Sequence, residues 1–113
     1  MATINRTSAV QTLNATTTAQ LVTRAAAPTG KVLSGFRVSF NGTGEVRFCL
    51  ISPGDTAPTF ASMVTNNDYD FALTSTEVFY PVNAGNDVAI YYVTTSGTAT
   101  VKYRDYYSRT DLR

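Results

Sequence analysis

Lys31-Val32-Leu33-Ser34-Gly35-Phe36-Arg37-Val38-Ser39-Phe40 is the stretch whose pattern decides the fold class. Val32, Ser34, Phe36, Val38 and Phe40 fall on one face and Leu33, Gly35, Arg37 and Ser39 on the other, the period-two alternation of a strand with one buried side. Asn41-Gly42-Thr43-Gly44 follows, and Asn and Gly accept the positive φ of a tight reversal; Val46, Phe48 and Leu50 then resume the alternation. Residues 32–51 therefore predict one hairpin. Pro53-Gly54-Asp55-Thr56-Ala57-Pro58 predicts a loop, because its prolines donate nothing to a ladder. Tyr69, Phe71 and Leu73 alternate next, then Val78, Tyr80 and Val82, with Pro81 placing that strand at an edge or at its end. Beyond the turn signal Asn83-Ala84-Gly85-Asn86, Val88, Ile90 and Tyr92 face one side while Ala89, Tyr91 and Val93 face the other. A strand apolar on both faces is expected to be covered twice, once by the core and once by a partner. Thr95-Ser96-Gly97 turns into the run 99–103, which closes a second predicted hairpin.

Composition agrees with that pattern. The chain has 113 residues, the size of one domain. Its apolar share is 43% and its charged share 15%, against about 25% charged in an ordinary soluble domain. The abundance of Thr, Val, Tyr and Phe suits a pleated surface, so the chain is read as all-β. About seven strands fit a single β-sandwich or jelly-roll-like domain, two sheets face to face around one core. The expected core is Phe36, Val38, Phe40, Val46, Phe48, Leu50, Val88, Ile90 and Tyr92. Residues 1–15 carry isolated Ile4, Val10 and Leu13 and read as an extended N-terminal arm, residues 16–103 as the β-sandwich domain, and residues 104–113 as a short C-terminal tail. Between 16 and 27, Ala19-Gln20-Leu21-Val22 opens a run compatible with a short helix or a strand, and the threonines before it favour the strand.

Several chemistries are excluded by inventory. There is no His and no Trp, and the single Cys49 builds neither an intramolecular disulfide nor a cysteine cluster for metal. Cys49 falls mid-strand opposite Phe48, the place of a small buried thiol rather than a nucleophile. Asp68 and Asp70 share a face if Asn66-Asn67-Asp68-Tyr69-Asp70 is extended, but the further ligands and sharp Gly turn of an EF-hand loop are missing. No phosphate loop, dinucleotide fingerprint or nucleophile elbow occurs, so the chain is expected not to be an enzyme and to need no cofactor. A formal charge of +1 argues against nucleic acid as the main partner. The first residues lack the apolar run of a secretory signal, and no stretch approaches the roughly 18 apolar residues of a membrane helix. Synthesis in a cytoplasm and no membrane partner are the expectations.

The order of the charges is informative. Arg6, Arg24, Lys31, Arg37 and Arg47 precede residue 48 with only Glu45 against them, whereas residues 48–101 hold Asp55, Asp68, Asp70, Glu77 and Asp87 with no Lys or Arg. From Lys102 onward Arg104, Arg109 and Arg113 face Asp105 and Asp111. Such segregation favours ordered contacts between basic and acidic surfaces, unless folding interleaves the segments and cancels it. Tyr and Arg concentrate binding energy at interfaces. The expected interface therefore takes Tyr91, Tyr103, Arg104, Tyr106, Tyr107 and Arg109 from the aromatic C-terminal region, and Ile4, Arg6, Val10 and Leu13 from the arm. The same tyrosines can instead pack inside a final edge strand, or form a stacking platform for sugar rings.

A family resemblance rests on the run from Thr18 through Lys31-Val32-Leu33-Ser34-Gly35-Phe36-Arg37-Val38, on Gly44-Glu45-Val46-Arg47-Phe48, and on Phe79-Tyr80-Pro81-Val82-Asn83-Ala84-Gly85-Asn86-Asp87-Val88-Ala89-Ile90-Tyr91. Over residues 18–101 the chain resembles the small all-β virion accessory proteins of tailed bacteriophages. The resemblance implies a non-enzymatic virion structural protein, most simply a capsid decoration or cement protein that binds and stabilises the outer surface of a phage head. A neck or tail component is the alternative within that class, and a carbohydrate-binding β-sandwich module the alternative outside it. The implied partners are the major capsid protein or another virion protein and further copies of the chain, a trimer being favoured, and the implied location is the virion. It carries over no binding residues, so docking is assigned to the arm and tail that lie outside it.

Overall fold

The computed structural model describes residues 4–24, 29–40, 43–82 and 88–109. Among these the chain is all-β, with nine strands and one short π-helical turn. The strands are β1 (Ile4–Thr7), β2 (Gln11–Ala15), β3 (Gln20–Leu21), β4 (Lys31–Phe40), β5 (Val46–Ile51), β6 (Phe71–Leu73), β7 (Glu77–Pro81), β8 (Ala89–Thr94) and β9 (Ala99–Arg109). They form two antiparallel sheets. In the first, β1 and β2 lie one after the other along one edge of β9, followed by β9, β4 and β7; the second runs β3-β8-β5-β6. The longest strands, β4 and β9, make the spine of the first sheet, from Lys31 opposite Arg109 to Phe40 opposite Val101.

The decisive stretch is a strand, with one displacement. Phe36, Val38 and Phe40 are buried and Arg37 is exposed, as the alternation predicts. A bulge between Leu33 and Gly35 shifts the register, so Leu33 rather than Val32 takes the buried position. Of the expected core, Val46, Phe48, Ile90 and Tyr92 are also buried, while Leu50 and Val88 pack partly exposed at its margin. The core cluster draws on both sheets, with Leu13, Val38 and Val101 from the first meeting Val46, Leu73 and Ile90 from the second.

Neither predicted hairpin forms. β4 pairs with β9 and β7 while β5 pairs with β8 and β6, so the reversal between β4 and β5 carries the chain from one sheet to the other. β8 and β9 likewise lie in different sheets, and β5 with β6 is the only consecutive pair that bonds among the described strands. Of the residues expected to turn, Gly44 and Gly97 adopt φ of +97° and +66°, open to glycine at little cost, while Asn41 and Gly42 lie outside the described residues. Such turns permit reversal into a facing sheet as readily as into the same one. β4 goes without β5 because both of its edges are taken by β9 and β7. The turn expected at 83–86 and the end of the ambiguous run, residues 25–27, lie outside the described residues. Of that run, Gln20–Leu21 is strand, the favoured alternative. Pro81 ends β7, which bonds only β4 and is an edge strand as predicted.

Most described residues of the expected arm, 4–7 and 11–15, and the described residues 104–109 of the expected tail belong to the sheet. Residues 11–15 pair with β9 in continuous register from Gln11 opposite Tyr103 to Ala15 opposite Ala99, and Leu13 and Ala15 enter the core. A short strand needs only two inward apolar side chains once its backbone groups have a ladder, so the sparse apolar residues of 11–15 suffice for a strand. β9 continues to Arg109, so residues 104–109 are strand rather than tail.

The second face of β8 is covered by the chain itself. The segment 59–65 folds into a turn with Met63 N–H donating to the Thr59 carbonyl at 2.9 Å and Asn66 N–H to the Ala61 carbonyl at 2.9 Å. Thr59 and Ser62 cap it reciprocally, the Thr59 N–H donating to Ser62 Oγ at 2.8 Å and the Ser62 N–H to Thr59 Oγ1 at 3.2 Å. Met63 seals against Cys49 and Val93, with Phe60, Val64, Ile51 and Tyr91 around them. Arg47 ties the segment down: its guanidinium meets Glu45 at 2.6 Å, the Met63 carbonyl at 3.1 Å and Asn67 Oδ1 at 2.8 Å, and lies over the Tyr69 ring at 4.5 Å.

Cys49 is a free, buried thiol, as read from its position. Burial raises its pKa above the ordinary thiol value, and the nearby Asp70 and Asp68 raise it further. Iodoacetamide at neutral pH is expected to leave Cys49 largely unmodified in the native protein and to alkylate it promptly in denaturant. Equal rates in the two states, measured by mass spectrometry, would contradict the cover formed by residues 59–65.

Candidate interaction surface

The alternation of β9 sorts the aromatic C-terminal region into two sides. Val101, Tyr103, Asp105 and Tyr107 point inward and are buried, whereas Lys102, Arg104 and Tyr106 point outward. Tyr103 and Tyr107 are therefore not contact residues for a partner, and neither is Leu13, which lies in the core. Tyr91 is half-buried beside the 59–65 cover. With Tyr103 and Tyr107 enclosed, the tyrosines cannot act together as a sugar platform. Arg104 and Tyr106 stay accessible, and Val10, between β1 and β2, is 52% exposed. Ile4, Arg6 and Arg109 are placed by their backbones only, Ile4 opposite Ser108, Arg6 opposite Tyr107 and Arg109 opposite Lys31.

The outer face of the first sheet brings together residues that lie far apart in sequence. Arg37 on β4 stands directly opposite Arg104 on β9, and Ser39 opposite Lys102. Arg37 pairs with Glu77 on β7 at 3.0 Å, and its guanidinium lies over the Tyr106 ring at 5.4 Å. Phe79, 44% exposed, meets Tyr106 edge to face with ring centroids 5.3 Å apart. Arg104 Nε donates to the Ser8 carbonyl at 3.0 Å, and Lys102 Nζ to Thr12 Oγ1 at 2.7 Å. A shallow depression lies among Val10, Arg37, Lys102, Arg104 and Tyr106. Arg37, Lys102 and Phe79 were not singled out from the sequence. Their signal was present as the outward half of each alternation, but only the pairing of β7, β4 and β9 makes them one surface.

Beneath this face sits a buried polar cluster. Asp105 accepts the Tyr103 hydroxyl at 2.6 Å and the Tyr107 hydroxyl at 3.4 Å, and faces Arg24 at 3.7 Å. Arg24 also donates to the Val88 carbonyl at 2.8 Å, so the cluster links β9 to the segments that flank the second sheet. The Tyr103 pKa lies well above the ordinary phenol value, because burial and then the Asp105 carboxylate oppose its ionisation. The group is enclosed and mutually bonded, the arrangement of an internal tie between layers.

Three exposed acidic residues lie on the loops that border β5. Asp70 accepts the Leu50 N–H at 2.6 Å and donates its own N–H to the Phe48 carbonyl at 2.8 Å, which holds Asp68 and Asp70 beside the end of β5. Asp55 follows on the loop that leaves β5, and all three are exposed. Among the described residues no group of three or more His, Cys, Asp or Glu is placed to hold a metal ion. No helix of the described residues is long and apolar enough to cross a membrane. Comparison of the chain with protein-family models, curated proteins and solved structures gave no match.

Proposed function

We propose that the chain is a non-enzymatic structural protein of a tailed-bacteriophage virion, a decoration or cement subunit on the outer surface of the head, and that its domain is a jelly roll. The observation that carries the reading is the strand order: (β1,β2)-β9-β4-β7 facing β3-β8-β5-β6, with six of the eight connections between described strands passing between the sheets. A five-stranded and a four-stranded sheet threaded this way support the double Greek key of a jelly roll, an architecture used by viral capsid proteins and by lectins. Architecture hosts many functions, so the resemblance over residues 18–101 selects the virion among them. Docking on the shell is assigned to the edge where β1 lies along the end of β9, Ile4 opposite Ser108. That replaces the whole of residues 1–15, because β2 is part of the core-bearing sheet.

Mass spectrometry of purified virions tests the reading. A copy number comparable with that of the major capsid protein is expected; a copy number of one ring would move the protein to the neck or tail, and absence from particles would overturn the proposal. Deleting residues 1–7 is expected to leave the circular dichroism spectrum unchanged and to abolish retention on heads that lack the protein, since β1 adds only a short edge segment. Deleting residues 1–15 is expected to unfold it. Retention of the shorter deletion at full affinity would refute docking through β1. A positive glycan array with no affinity for heads would favour the carbohydrate-binding alternative.

A further inference from the structure

We propose that the outer face of the first sheet is a self-assembly surface, and that it docks head to tail on the acidic loops bordering β5 of a second copy of this chain. The proposal does not depend on the virion reading. Three observations lead to it. Like charges directly across an antiparallel pair are destabilising, yet Arg37 stands opposite Arg104, with Lys102 along the same strand; within the subunit only Glu77 offsets them on this face among the described residues. Arg37 is offset by Glu77 and the Tyr106 ring, whereas Arg104 and Lys102 bond only the neutral oxygens of Ser8 and Thr12 and have no carboxylate partner among the described residues. Cations left un-neutralised on one face mark a place where another requirement acts.

The second observation is a pre-set aromatic anchor. Phe79 is exposed but not free to move inward or sideways. Its ring lies over Gly35, where an added Cβ would come within 2.5 Å of the ring, and the Tyr106 edge contact fixes its other side. An exposed aromatic already held in position, with Arg37 beside it across the strand pair, loses little freedom on binding and has the composition of an interface hot spot.

The third observation identifies the occupant. The same chain carries the complementary charge: Asp55, Asp68 and Asp70 are exposed on the loops at the end of β5, the chain has no Lys or Arg from residue 48 to residue 101, and among the described residues none of the three makes an ion pair. The basic face and the acidic loops belong to opposite sheets, so one copy cannot satisfy itself and a contact between two copies leaves each with a further unused surface. That is a heterologous interface, which propagates until the rotation closes a ring.

Light scattering on the full chain separated by size, at low ionic strength and at 1 M salt, where the screening length falls to about 3 Å, gives the first test. An oligomer at low salt that weakens by roughly tenfold or more at high salt is expected. The double variant Lys102→Glu/Arg104→Glu should be monomeric yet folded, because Glu at 104 turns the like-charge pair with Arg37 into an opposite-charge one. Asp55→Lys/Asp68→Lys should also be monomeric. Mixing the two variants should restore assembly, since each then offers the face that the other's loops require. Phe79→Ser, an exposed change, is expected to weaken association with an unaltered circular dichroism spectrum. A wild-type monomer at all concentrations, salt-insensitive association, or failure of the mixture to assemble would overturn the proposal. Tight binding of a single-stranded oligonucleotide lost in Lys102→Glu/Arg104→Glu, without self-association, would overturn it in favour of nucleic acid.

Discussion

Replacing Phe36 by alanine is expected to destabilise the fold by about 3–5 kcal/mol. The side chain is fully buried, and it stacks on Tyr103 at 5.4 Å while tilting against Tyr80 at 5.7 Å and Phe71 at 6.1 Å. Phe71 stacks in turn on Phe48 at 4.8 Å, so an aromatic chain runs from β9 and β4 in the first sheet to β6 and β5 in the second. Truncation removes the ring's transfer energy and opens a cavity that rings anchored on two sheets cannot close by small shifts. A domain of this size has roughly 5–15 kcal/mol of stability in total, so the variant should lie near its unfolding threshold. Urea unfolding followed by tyrosine fluorescence measures the loss. Phe79→Ala, on the exposed face and holding only the Gly35 and Tyr106 contacts, should cost about 1 kcal/mol, well below the Phe36 loss, in the same assay. A loss below about 1 kcal/mol at Phe36 would contradict the packing between the sheets.

Arg24→Ala is the second large effect, expected to cost about 3–5 kcal/mol because it leaves the Asp105 carboxylate, 2% exposed, without its cation. The Tyr103 hydroxyl at 2.6 Å still bonds the carboxylate but does not neutralise it. Adding Asp105→Asn in the Arg24→Ala background should recover most of the loss, since an amide accepts the hydroxyl without burying charge, and a double-mutant cycle reads the coupling directly. Alkaline titration probes the same cluster. The folded protein keeps Tyr103 neutral to a higher pH than the unfolded chain, whose phenol ionises near pH 10. The stabilisation is therefore complete below about pH 10 and is lost as the pH rises above it. Phenolate absorbance should show Tyr103 titrating only as the protein unfolds; reversible ionisation near pH 10 in the folded state would place Tyr103 in contact with solvent.

The charge order of the sequence becomes interpretable only beside these contacts. Arg24 with Asp105, Arg37 with Glu77 and Arg47 with Glu45 show that folding interleaves part of the segregated charge, as one of the two readings held. What it leaves without an ion-pair partner among the described residues is Lys102 and Arg104 on β9 and the carboxylates near β5, at separate places on the molecule.

From its sequence alone, this protein is all-β, with Phe36, Val38, Val46, Phe48 and Ile90 inward, Pro81 at an edge and Cys49 enclosed. Those properties follow from side-chain alternation and from proline's missing donor, both of which act within a few residues. Tertiary structure decided the partners: that 31–40 bonds 99–109 rather than 46–51, that residues 11–15 complete a sheet, and that residues 59–65 rather than another molecule cover β8. It also decided that Arg37, Phe79, Arg104 and Tyr106 share one face while Tyr103 and Tyr107 turn inward. A turn states only that the chain reverses. Which strand it then meets depends on which edges and apolar faces the rest of the chain has already taken, and that information is spread over the whole length rather than written at any one position.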